Sequence, residues 1–305
     1  MVQKHVKRSP AAIKEALCGY ISISPWLVGF IILTFIPILS TIYYSFTRWT
    51  IMDAPVWIGL ENYIRMFTKE PLFYQAVRAT SLYVAMSLPV IIVFGVLLSL
   101  LLNMKIKGMN FYRTLFYIPA VISGVSIAML WTWLLQPDVG IVNTLLSYLG
   151  IQGPKWFWDP KWALPSVASM SLWKVGGSAV IYLAGLQNIP PQLYEAARID
   201  GAGKLRIFFR ITIPLLTPTL FFQLIIQMIE AFKVFTEAYV ITKGGPLKAT
   251  YFYLLYFYEE GFQHFNTGYA SALILFLVVI IMLMTAAVNY TSKHWVYYEG
   301  EGKSK

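Results

Sequence analysis

The sequence predicts an all-α membrane protein with six transmembrane helices, and three observations predict it. Of its 305 residues, 58% are hydrophobic and only 12% charged, against roughly 25% charged in a soluble globular domain. The mean hydropathy is +0.62. The apolar residues are gathered into six stretches with few or no charges, each near or above the roughly 20 residues that cross a bilayer as a helix. A soluble protein is excluded.

The stretches are taken in order. Behind the cationic start of Lys4, Lys7, Arg8 and Lys14, residues 16–47 are uncharged. That is far longer than a signal-peptide core of about 7 to 15 residues, so the run is expected to stay in the membrane as the first span. Uncharged windows at 79–104 and 114–137 follow, then 162–194 interrupted by Lys174, then 211–229 leading into Glu230 and Lys233, and finally 261–292 with His264 near its start. The spans are placed at about 21–44, 78–103, 114–135, 163–187, 213–236 and 269–290. The aromatic run at 249–258 has only ten uncharged residues. It is too short to span and is expected at the interface or as a short outside helix.

An even number of spans puts both termini on one side. The N-terminal tail carries four Lys and Arg, the second connection three, the fourth four and the C-terminal tail three, while the opposite, longer connections share eight. The positive-inside rule therefore places both termini in the cytoplasm. The net charge of +10 serves orientation, because the 24 Lys and Arg are scattered between apolar runs and form no nucleic-acid-binding face. A single cysteine, Cys18, excludes an internal disulfide, and no zinc-ligand spacing occurs.

Proline and glycine punctuate the spans at Pro25, Pro37, Pro89, Gly95, Pro119, Gly124, Gly176 and Gly177. They serve close helix packing, or some of them mark bends that line a path. An ATP-binding phosphate loop is not found. Gly302-Lys303-Ser304 has Tyr297 where the loop needs glycine, and Gly203-Lys204 is followed by Leu205. The histidines His5, His264 and His294 lie at or beyond span ends, which leaves a membrane enzyme without a catalytic cluster.

Charge within the spans is confined to Lys174, Glu230 and Lys233, with Glu237 near an outer end. Such groups are costly in hydrocarbon and face an interior or water. Glu230 and Lys233 either neutralise each other at i,i+3 or serve a polar path. In the fifth span Gln223, Gln227, Glu230 and Val234 recur at helical spacing, and in the fourth Ser171, Lys174 and Ser178 do the same. These faces suit hydroxyl-rich ligands, which donate and accept hydrogen bonds; bonding to a neighbouring subunit is the other use for them.

The connection at 188–212 is the most specific feature. Prolines suited to a first turn, Pro190 and Pro191, launch a short helix that Gly201 is placed to stop. Ala196 and Ala197 keep one face slim enough to enter a groove. A second amphipathic stretch follows, with Leu205, Phe208 and Phe209 among Lys204, Arg206 and Arg210.

Glu195-Ala196-Ala197, then Gly201, then Ile211-Thr212-Ile213-Pro214 resembles the E-A-A-x3-G-x9-I-x-L-P signature of the inner-membrane permease subunits of binding-protein-dependent ABC importers, with Ile213 where the family has leucine. Ser24-Pro25-Trp26, Gly59-Leu60-Glu61-Asn62-Tyr63, Phe111-Tyr112-Arg113, the run from Leu183 to Pro190 and Thr242-Lys243-Gly244-Gly245-Pro246 are similar to the carbohydrate-importing branch, specifically its maltose-type and glycerol-3-phosphate-type first permease. The resemblance implies a type I importer permease fold in a bacterial cytoplasmic membrane. It implies pairing with a homologous second permease, two cytoplasmic ATPase subunits that hold ATP and Mg, and an external solute-binding protein that delivers a sugar. It further implies that Glu195, Ala196, Ala197, Asp200, Gly201 and Gly203 couple to an ATPase, and that the fourth and fifth spans supply sugar contacts. A stand-alone secondary carrier or channel is the alternative function.

Overall fold

The computed structural model describes residues 10–297. Lys4, His5, Lys7, Arg8 and the Gly302-Lys303-Ser304 decoy lie outside the described residues. The described residues are all-α apart from one pair of two-residue strands. Among the described residues, five helices are long and apolar enough to cross a membrane, or six when one sharply bent pair counts as a single span. Contacts divide the chain into two compact units, Met1–Met66 with Glu260–Phe276, and Phe67–Glu259 with Leu277–Lys305.

In the first unit, Leu17–Ser45 is the apolar helix. A π-helical turn at Ile31–Phe35 lies just ahead of Pro37, where the proline ring would otherwise meet the carbonyl four residues back. Strands Thr47–Arg48 and Val56–Trp57 pair antiparallel. Asn62 Nδ2 donates to the carbonyls of Ser45 and Thr47, each at 2.9 Å, which ties the helix end to Glu61–Thr68. The buried Glu260 carboxylate is met by His264 Nδ1 at 3.0 Å and Asn266 Nδ2 at 2.9 Å.

The second unit is built around Pro71–Leu102, which packs against Ala163–Gln187 and Lys204–Phe232. Val96, Tyr182, Leu186, Ile189 and Leu216 form its core. Small residues allow the approach. A Cβ at Gly95 would sit 2.8 Å from the Tyr182 ring, and one at Gly176 only 1.8 Å from the Phe116 carbonyl oxygen. The glycines at 95 and 176 thus mark close helix packing.

Three features depart from the sequence-based placement. The stretch at 114–135 is two helices, Met109–Val121 and Gly124–Leu134, bent by 98°. Pro119 withdraws a donor from the last turn of the first, and Ile122 and Ser123 are extended. The fifth helix ends at Phe232, with Lys233 as its cap, so Val234 lies beyond it. The aromatic run forms the short helix Tyr253–Tyr258, but Tyr251, Phe252, Tyr253 and Tyr256 are buried. The Tyr253 N–H donates to Thr80 Oγ1 at 2.8 Å, and Phe252 packs on Tyr83. The short helix is as expected, and the departure is that the run is buried against the second-span helix.

Candidate functional site

The connection between the fourth and fifth spans folds as the helix Pro191–Ile199, with Pro191 in its first turn. Asp200 caps it and Gly201 turns left-handed, with φ of 74°. The Ala202 N–H reaches the Ala197 carbonyl at 2.9 Å and the Gly201 N–H reaches that of Arg198 at 3.1 Å. These are the two bonds of a Schellman cap. Gly203 then starts the next helix with φ of −71°, so it has no left-handed requirement of its own.

The helix is anchored on one side and open on the other. Tyr194 packs on the core and its hydroxyl lies 3.3 Å from Thr212 Oγ1. Glu195, Ala196 and Asp200 are exposed, Ala197 is half-buried, and Ile199 is 87% exposed. Leu205 and Phe209 are also exposed. A slim polar helix flanked by bare apolar side chains, with its end fixed by a glycine, is a rigid projection suited to a groove on another protein.

The second site is a cavity of about 400 Å³ in the second unit, and Ser171, Lys174, Ser178, Gln223, Gln227, Glu230 and Val234 all line it. Gln223 is 1% exposed, and both polar atoms of its amide have no hydrogen-bond partner among the described residues. Ser171 and Ser178 donate to the carbonyls of Ala168 and Val175 at 2.6 and 2.9 Å, which leaves their oxygens free to accept. Val234 lines the cavity from beyond the helix end at Phe232.

Charge in the cavity is balanced. Lys174 Nζ lies 3.0 Å from Glu237 Oε1, and Lys233 Nζ lies 2.8 Å from Glu230 Oε1. Two cations face two carboxylates, so the cavity offers an uncharged ligand many hydrogen-bonding groups without a net field. The i,i+3 pairing expected of Glu230 and Lys233 is present. Glu237 was not placed with the site residues, and neither was Tyr83 of the second span, which also lines the cavity. Glu237 had a legible signal as a charge near a span end; its link to Lys174 depends on the early end of the fifth helix.

The sequence profile described as "Binding-protein-dependent transport system inner membrane component" matches residues 73–296. The chain is 42% identical to the probable ABC transporter permease protein YesP of Bacillus subtilis (strain 168), over 97% of both chains. It is 30% identical to the arabinooligosaccharides transport system permease protein AraP of Halalkalibacterium halodurans, over 95% of this chain and 93% of that one. Among solved structures, a chain of the bacterial alginate ABC transporter in complex with alginate pentasaccharide-bound periplasmic protein superposes with a TM-score of 0.82 at 26% identity, covering 94% of this chain and 98% of that one. With its helices, its loop signature and these likenesses together, the chain belongs to the family of binding-protein-dependent transport system inner membrane components, and it is a multi-pass ABC-transporter permease of the type I importer fold.

Proposed function

We propose that this chain is one of two permease subunits of an ABC importer that carries a carbohydrate, an oligosaccharide in particular, across a bacterial cytoplasmic membrane. The observation that carries this reading is the charge-balanced cavity in which the buried Gln223 amide has no partner of its own. An unsatisfied buried amide is costly, and a hydroxyl-rich ligand would repay it by donating and accepting at once. Arabinooligosaccharides, named for AraP, are ligands of that kind.

In this reading a homologous permease closes the other side of the path, and an extracytoplasmic solute-binding protein delivers the sugar. Two ATPase subunits hold the ATP and Mg, and this chain contributes no catalytic group and no cofactor. Glu195, Ala196, Ala197, Asp200, Gly201 and Gly203 form the docking segment for an ATPase. That segment joins the fourth and fifth spans, so its displacement pulls on both cavity walls directly. Both termini and the docking segment face the cytoplasm.

Reconstitution of the chain with its second permease, ATPase subunits and binding protein tests this. Uptake that needs both ATP and the binding protein is expected. Uptake by this chain alone down a solute or ion gradient would favour the stand-alone carrier.

A further inference from the structure

A second cavity, of about 350 Å³, lies in the second unit and is chemically unlike the first. Arg78, Lys161 and Lys248 line it, with aliphatic surface from Leu82, Met86 and Leu164. No carboxylate lines it, and none of the three cations forms a salt bridge among the described residues. Asp159, the nearest acid in sequence, turns Oδ1 to the backbone N–H of Lys161 at 2.8 Å. By chain direction all three cations stand at the end of the helices opposite the 191–199 helix. Cations at that end run against the positive-inside asymmetry, so orientation does not account for them.

The third cation is held there deliberately. Leu247 and Lys248 both have positive φ, 48° and 61°, without being glycine. Gln75 Nε2 donates to the Leu247 carbonyl at 3.3 Å, and Lys248 Nζ sits 3.8 Å from the Tyr251 ring centroid. Strained backbone of this kind persists where its surroundings fix it, and it clusters at ligand clamps.

We infer that this cavity binds an anionic phospholipid, its headgroup phosphate on Arg78, Lys161 and Lys248 and an acyl chain along Leu82, Met86 and Leu164. Three cations gathered without a carboxylate partner offer an anion a site. The floor is aliphatic, with Leu82 and Met86 exposed; no aromatic ring lines the cavity, and the Gln75 amide at its edge already donates to the Leu247 carbonyl. A phosphate above a hydrocarbon chain satisfies both halves of the cavity.

The test uses the assembled transporter in detergent and in nanodiscs, with phosphatidylglycerol, phosphatidylcholine and free glycerol phosphate as probes. Lipid retained through detergent exchange is quantified by mass spectrometry, and thermal unfolding is followed in parallel. Wild type should retain phosphatidylglycerol and be stabilised by it but not by phosphatidylcholine. Each cation near an anionic headgroup contributes about fivefold, so Arg78→Gln with Lys161→Gln and Lys248→Gln should weaken retention about a hundredfold. Arg78→Lys with Lys161→Arg and Lys248→Arg should keep it, and so should glutamine at Lys69, Lys155 and Lys243, which lie outside the cavity. Unchanged retention in the first triple variant overturns the site. So does equal loss in the Lys69, Lys155 and Lys243 variant, which would make the effect general surface charge. Stabilisation by free glycerol phosphate as strong as by the lipid overturns the lipid assignment.

Discussion

Lys174 and Glu237 lie 63 positions apart in the chain, yet Nζ and Oε1 meet at 3.0 Å on the wall of the charge-balanced cavity. The link joins the fourth span to the segment that follows the fifth helix. The Glu237 side chain is 12% exposed and the Lys174 side chain 47%, so the carboxylate loses more if the pair is broken.

Lys174→Met should therefore destabilise the permease by about 1 to 3 kcal/mol, the cost of leaving a largely buried charged acceptor unpaired. Lys174→Met with Glu237→Gln should recover most of that loss. Thermal unfolding of the purified complex gives the double-mutant cycle, and additive losses would show that the two residues do not act on each other.

Gln223→Leu separates stability from transport. It removes two buried polar atoms that have no partner among the described residues, so stability should stay level or rise by about 1 kcal/mol. Sugar uptake should fall. A stability loss with uptake preserved would assign Gln223 to packing.

Gly201 tests the docking segment. No atom lies within 4 Å of a Cβ built there, and its φ is 74°, so a substitution is opposed by backbone conformation alone. Gly201→Val should cost the cap about 1 to 2 kcal/mol or more, whereas Gly201→Asn should be tolerated. Gly203→Ala meets neither a clash nor a left-handed φ and should leave the segment's shape intact. Loss of ATPase coupling in Gly201→Val with the spans still folded is the expected outcome; normal coupling would contradict it.

Topology is best probed at Trp158 and Ile199. Phe157 is 3% exposed and its replacement would react poorly, while Trp158 and Ile199 are open. In a Cys18→Ser background, cysteine at 158 should react with an impermeant reagent in intact cells. Cysteine at 199 should react only after the membrane is opened, and the reverse pattern would invert the chain.

Long apolar stretches and the proline-to-glycine frame of the 191–199 helix were legible in the sequence because they depend on local chemistry. The Gly201 cap needs only a residue without Cβ at the right offset. The cavity face was legible because Gln223, Gln227 and Glu230 repeat at helical spacing. What stayed hidden depends on long-range packing. Pro119 and Gly124 stand in the sequence as candidate bend positions, but nothing local gives the 98° break between them. The burial of Tyr251 to Tyr256 needs the Thr80 hydroxyl, which receives the Tyr253 N–H. The Lys174–Glu237 link appears only once the fifth helix is seen to stop at Phe232.

The central claim is that this cavity carries sugar while the docking segment couples it to ATP. Sugar moved and ATP hydrolysed, measured together in proteoliposomes for wild type and for Gln227→Leu with Glu230→Gln, test it most directly. The account predicts uptake lower by about tenfold or more, from the loss of hydrogen bonds worth about 1 kcal/mol each, with assembly and basal ATPase activity near normal. Unchanged uptake, or loss of assembly and ATPase activity together, would contradict it.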